Sequence, residues 1–144
     1  MFKRILVPTD GSELSDKAID GAVALAKSLN ATVVGVTVIE PYSYSNLSEY
    51  RPETMEDYDA RMDKAAAERL GRVTDRAAAA GIAVQTLSLK SFTPFEAIIS
   101  AASTEKCDLI IMASHGRRGL GAVLLGSETQ KVLTHSTIPV MVFR

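Results

Sequence analysis

Apolar positions along the chain alternate between short unbroken runs and longer stripes with helical spacing. Ile5-Leu6-Val7 is a run of the first kind, and Leu14, Ala18, Ala22, Leu25 and Leu29 follow it in steps of three and four. That spacing puts one apolar face on a helix. Val33 to Ile39 is apolar or β-branched except at Gly35, which suits a strand covered on both faces. The stripe Tyr58, Met62, Ala66, Leu70, Val73 and Ala77 predicts a second helix, and Gly81 closes it. Ile82 to Leu89 mixes Gln85, Thr86 and Ser88 with apolar residues, the pattern of an edge strand. Thr93-Pro94-Phe95-Glu96 predicts a helix start: Thr93 as cap, Pro94 in the first turn and Glu96 completing a capping box. Leu109 to Ala113 is the most apolar run and is expected at the sheet centre. A short helix from Ser127 to His135 and a last strand from Ile138 to Phe143 complete the pattern.

The predicted order β-α-β-α-β-α-β-α-β points to a doubly wound α/β domain over residues 1–144. Its five parallel strands are expected in the order 3-2-1-4-5, with helices on both faces. The segment from Glu40 to Glu53 fits least well, because βα connections usually take about 2–6 residues. It holds Tyr42, Tyr44 and Tyr50, and Tyr58 begins the next helix. Two readings stand: a loop presenting aromatic residues to a partner, or an excursion whose tyrosines pack on the domain's own shoulder.

Charge changes the picture by exclusion. Sixteen Lys and Arg against seventeen Asp and Glu give a net charge of −1, not the basic excess of a nucleic-acid binder. No apolar run approaches the roughly 18 residues of a membrane span, and Ile5-Leu6-Val7 is too short for a signal peptide. Cys107 stands alone, so neither a disulfide nor a cysteine-rich metal site is available, and a buried inert thiol is expected. A cytoplasmic location follows as an expectation.

Chemistry is sought where open α/β sheets bind ligands, at the carboxyl ends of strands beside a switch point. The loop after the first strand reads Pro8-Thr9-Asp10-Gly11-Ser12. The loop after the fourth reads Ala113-Ser114-His115-Gly116-Arg117-Arg118-Gly119 and continues to Leu125-Gly126-Ser127. Four of the nine glycines lie between 116 and 126, where backbone N–H groups can face an anion. Ser127 with Gln130 reads as a capping box that sets a helix N-terminus beside this loop, an end that suits phosphate. A Walker-type Gly-Lys-Ser/Thr is absent, and so is the dinucleotide fingerprint after the first strand. His115 follows Ser114, but adjacent side chains are expected to diverge, which is no nucleophile–base pair. His135 reads as a surface group ending the last helix.

These two loops, together with the terminal Pro139-Val140-Met141-Val142-Phe143, resemble the universal stress protein family along the whole chain. ATP-binding members carry Gly-x2-Gly-x9-Gly-Ser/Thr after the fourth strand. Gly116, Gly126 and Ser127 match its second half, and Ala113 stands where the first glycine would be. The resemblance implies a site for ATP with Mg2+. In it Asp10 holds the ribose or a metal-bridged phosphate, and Thr9 lines the adenine side. Val38 meets adenine through its backbone. Gly116, Arg117, Arg118 and Gly119 wrap the phosphates, Ser127, Glu128 and Thr129 close the site, and Ala113, Ser114, His115 and Gly126 are further cofactor-binding residues. From the residues alone, Asp10 could equally be a turn carboxylate. The function implied is a nucleotide-dependent regulator in stress response. The alternatives are an interaction module that needs no nucleotide and a slow metal-assisted ATP hydrolase or phosphotransferase. Pro139 confines the last strand to a sheet edge, and its apolar residues predict a homodimer pairing through 138–143.

Overall fold

The computed structural model describes residues 1–43, 47–48, 51–117 and 125–144. In chain order the elements are β1 (Arg4–Pro8), α1 (Glu13–Leu29), β2 (Thr32–Ile39), β3 (Leu47–Ser48), β4 (Arg51–Pro52), α2 (Met55–Ala80), β5 (Val84–Lys90), α3 (Pro94–Thr104), β6 (Leu109–Ala113), α4 (Ser127–His135) and β7 (Val140–Phe143). Five strands form one sheet in the order β5-β2-β1-β6-β7, all parallel. Counting these five alone, the order is the expected 3-2-1-4-5.

The runs without alternation become the central strands because both faces of the sheet are covered. Ile5, Val7, Val33, Leu109 and Ile111 pack with α1 and with Val73 of α2 on one side. Leu6, Val34, Val36, Ile110 and Met112 pack with α3 and with Val132 of α4 on the other. Each fully buried Ile, Leu or Val stabilises the fold by about 1.5–3 kcal/mol relative to exposure. β5 is an edge strand and mostly half-buried, as its mixed composition predicts. β7 is the other edge. Its ladder residues begin at Val140 rather than Ile138, although the Pro139 carbonyl still accepts from Ile110 N–H at 3.0 Å.

Two predicted helix starts differ from the structure. Thr93 makes no side-chain cap. The α3 start is held from another element, since the Phe95 N–H donates to Glu128 Oε2 of α4 at 2.9 Å. A carboxylate on those N–H groups also suits the positive end of the helix. In α4 the cap is Gly126, not Ser127, and with no side chain at that position there is no capping box. The helix α2 starts earlier than its apolar stripe, at Met55, because Thr54 caps it through the Asp57 N–H.

Within the long β2–α2 connection, β3 and β4 pair antiparallel, Leu47 opposite Pro52. Tyr42 and Tyr58 meet edge to face at 5.5 Å on the domain's own shoulder. Their hydroxyls donate to the carbonyls of Glu53 and Glu40. For these two the self-packing reading holds; Tyr44 and Tyr50 lie outside the described residues. Cys107 is buried among the α3-side residues, and burial pushes its thiol up to about 11, as an inert cysteine requires. Among the described residues no helix is long and apolar enough to cross a membrane.

Candidate functional site

The strands β1 and β6 are neighbours, yet the chain leaves them toward opposite faces: from β1 to α1, and from β6 to α4. A crevice opens between the two loops, at the switch point of the sheet.

The first loop is fixed by hydrogen bonds that continue the sheet beyond β1. The Thr9 N–H donates to Val36 O at 2.8 Å, and the Thr9 carbonyl accepts from Thr37 Oγ1 at 2.9 Å. The Thr9 hydroxyl lies 3.1 Å from Ser15 Oγ and accepts from the Gly11 N–H, so it serves the loop itself. Gly11 turns the chain at φ +81°, a conformation costly for other residues. Ser12 then caps α1 through the Ser15 N–H.

Asp10 joins the two loops. Its Oδ1 accepts from the Ser12 N–H at 3.0 Å, and its Oδ2 accepts from the Arg117 N–H at 2.8 Å across the crevice. Burial alone would raise its pKa, but hydrogen bonds from Ser12, the Arg117 N–H and Ser15 hold the carboxyl below its usual range. The carboxylate thus closes the turn with one oxygen and spans the crevice with the other. Gly116 passes directly over this group, and a Cβ there would overlap Asp10 Oδ2. A larger side chain fits between them only if the Asp10 carboxylate moves.

The second loop is clipped at both ends. The Ser114 N–H donates to Phe143 O at 2.7 Å, and Ser114 O accepts from the Gly126 N–H at 2.6 Å. Thr129, buried, donates to the Ala113 carbonyl at 2.9 Å and ties α4 to the end of β6. The first helical bond of α4 runs from the Gln130 N–H to Gly126 O at 3.0 Å. The N–H groups of Ser127, Glu128 and Thr129 therefore have no acceptor within the helix, and they carry its positive end. The Glu128 carboxylate is committed elsewhere, to Phe95 N–H and to Lys131 at 3.4 Å, which leaves its backbone N–H as its group at this helix end.

The register sets the direction of the Val38 backbone groups. The Val36 carbonyl bonds toward β1, through Thr9, while the Ile39 carbonyl bonds toward β5, through Ser91. Residues two apart on a strand share a direction. The Val38 N–H and C=O thus face the β1 side, beyond Pro8, the last β1 residue in the ladder opposite Val36. That side is the crevice.

Ser114 and His115 correct one expectation. Their side chains meet, Oγ to Nδ1 at 3.2 Å, because the chain bends at both residues. Ser114 is only 2% exposed, and no further hydrogen-bond partner orients His115 among the described residues. The pair is thus a local contact, without the third member or the access that a nucleophile needs. His135 is exposed, bonded to the Lys131 carbonyl and stacked on Phe95. Arg117 is described and exposed; Arg118 and Gly119 lie outside the described residues.

Two residues not singled out in the sequence also reach this end of the sheet. Arg69 of α2 lays its aliphatic stem beside Gly11 and directs Nη1 toward Thr37 Oγ1 at 3.4 Å. Arg72 donates to the Gly11 carbonyl at 2.8 Å and to Asp16. With Asp10, Glu68 and Arg117 they line a polar cavity of about 300 Å³. The available signal was their spacing: Arg69, Arg72 and Arg76 share one helical face.

A family-wide sequence comparison matches the Universal stress protein family over residues 1–144. The chain belongs to the universal stress protein family. A universal stress protein of Thermus aquaticus is 33% identical over 144 residues, covering all of both chains. Among solved structures, that of the protein MJ0577 of Methanocaldococcus jannaschii superposes with a TM-score of 0.84. It is 29% identical, and the match covers 99% of this chain and 96% of that one. A universal stress protein in complex with cAMP superposes with a TM-score of 0.69 at 25% identity, covering 98% and 95%. The fold is thus that of the family.

Proposed function

We propose that this universal stress protein binds ATP in the crevice between the β1 and β6 loops and acts in the cytoplasm as a nucleotide-dependent regulator in stress response. The observation that carries the reading is the convergence of three unlike groups on one crevice. These are the Val38 backbone edge, the Asp10 carboxylate and the N–H groups opening α4, which have no acceptor within the helix. An adenine edge, sugar hydroxyls and a phosphate chain require that set, in that order. The Gly116–Arg117 backbone lies beside Asp10 and wraps the chain between sugar and α4. Thr9 and Ala113 act through the shape of their loops. The cAMP complex of a similar chain supports an adenine nucleotide as the ligand class. Among the described residues no three His, Cys, Asp or Glu side chains cluster to hold a metal. Mg2+ would come with the phosphates, and Asp10 is the carboxylate placed to meet it.

Ligand at about 100 times its dissociation constant stabilises a protein by roughly 2.7 kcal/mol. Saturating MgATP should raise the melting temperature, and an adenine nucleotide should leave the denatured protein in mass spectrometry. Absence of both effects defeats the reading. Ala113 in the motif glycine's place favours one other reading, an interaction module that needs no nucleotide. Partner capture from cell extract, unchanged by ATP, is its signature.

The apolar edge strand β7, with Met141 40% exposed, supports a homodimer in which two β7 strands pair across a two-fold axis. Light scattering at micromolar concentration should give twice the mass of 15.4 kDa; a monodisperse monomer refutes it.

A further inference from the structure

The polar cavity between Asp10 and α2 lies on the α1/α2 side of the sheet, while the N-terminus of α4 lies on the α3/α4 side. A phosphate chain directed to α4 does not reach it. Its walls are nonetheless built for an anion. Arg69 is half-buried, and among the described residues no carboxylate lies within ion-pair distance of it. Among the described residues its one hydrogen bond, to Thr37 Oγ1, is long at 3.4 Å. Of the three guanidinium groups on the cavity, Arg117 is the second with no ion pair among the described residues. Burial, and then the charge of Arg117, push the Arg69 guanidinium below its usual range, with Asp10 pulling partly back. Like charges held together at a half-buried position are relieved by a bound anion. Arg72 is committed to Gly11 O and Asp16, so it frames the cavity. The negative groups are Asp10, whose oxygens already accept N–H bonds, and Glu68, which is exposed at the rim.

We propose that Arg69 and Arg117 form a phosphate site separate from the α4 end, and that it takes a phosphate carried on the sugar hydroxyl side of the nucleotide. The sugar-linked form rests on the nucleotide reading above, because it needs Asp10 to receive the ribose; the anion site itself does not. Planar guanidinium groups suit phosphate oxygens and gain strength when half-desolvated.

The test compares three probes by calorimetry on the wild type, Arg69→Gln and Arg69→Lys: AMP, adenosine with phosphates at both the 3′ and 5′ positions, and inorganic pyrophosphate. The bisphosphate should bind wild type about tenfold more tightly than AMP, the gain of one charge-assisted contact. Arg69→Gln should lose that gain and keep AMP affinity, and Arg69→Lys should retain part of it. No gain in wild type, or an undiminished gain in Arg69→Gln, overturns the sugar-linked site. If neither adenine probe binds wild type, the nucleotide reading falls, and pyrophosphate decides the remainder. Arg69-dependent pyrophosphate binding upholds a site for free phosphate, and no binding overturns the site altogether.

Discussion

Gly116→Ala isolates the junction between the two loops. The added methyl falls where Asp10 Oδ2 now sits, and that oxygen accepts the Arg117 N–H at 2.8 Å. The clash is with the end of a side chain, so Asp10 can swing aside, but only by giving up this bond. Hydrogen bonds to charged groups contribute about 1.5–3 kcal/mol, and the partial exposure of Asp10 puts this one toward the lower end. A loss of about 1–2 kcal/mol lowers the melting temperature by about 2–8 °C for a domain of this size. MgATP should then stabilise the variant less than the wild type, because the carboxylate proposed to receive the sugar has moved. The decisive measurement is a double-mutant cycle read by urea unfolding. If the methyl acts through Asp10, Gly116→Ala should cost almost nothing once Asp10→Ala is present. Costs that simply add, within about 0.5 kcal/mol, refute the junction as the cause.

Three further outcomes follow from the same contacts. The Asp10 carboxyl is held below its unfolded pKa of 3.8, so its contribution to stability is complete above that value and lost as pH falls through the lower folded one. The stability gap between wild type and Asp10→Asn should therefore be constant from pH 7 to about 5 and shrink by pH 3; a gap that grows on acidification contradicts the sign. Glu128→Ala removes the carboxylate on the Phe95 N–H and should cost about 1 kcal/mol, as loss of an N-cap does, with Glu128→Gln retaining part of it by chemical denaturation. Cys107, buried and raised to about 11, should resist thiol reagents at pH 7 and react at the rate of unfolding; rapid labelling of the folded protein refutes that.

How far the sequence reaches can be followed residue by residue. The sheet was legible because its central strands are buried on both faces, which leaves runs such as Leu109–Ala113 without alternation. The loops were legible because the switch point lies between β1 and β6 and opens a crevice at their carboxyl ends, and Asp10 and Gly116 stand there. The helix starts were less legible, since a capping box describes only four residues. At α3 the group that satisfies the N–H comes from Glu128, 33 positions from Phe95, and a local motif carries no trace of it. At α4 Gly126 takes the cap position, and its N–H also closes the loop on Ser114 O.

Arg69 and Arg72 were hidden for a different reason. On a helical wheel they belong to the charged face of α2, where a row of arginines is expected to meet solvent. What changes their meaning is the approach of α1. Asp16 and Asp20 draw off Arg72 and Arg76 in ion pairs, while Arg69, one turn closer to the crevice, is left facing Arg117. Two arginines of one row are consumed by the contact between helices, and the third has no carboxylate within ion-pair distance among the described residues. The same charge pattern thus supplies both the packing of α2 against α1 and a cation at the crevice, and only the tertiary contact decides which residue does which.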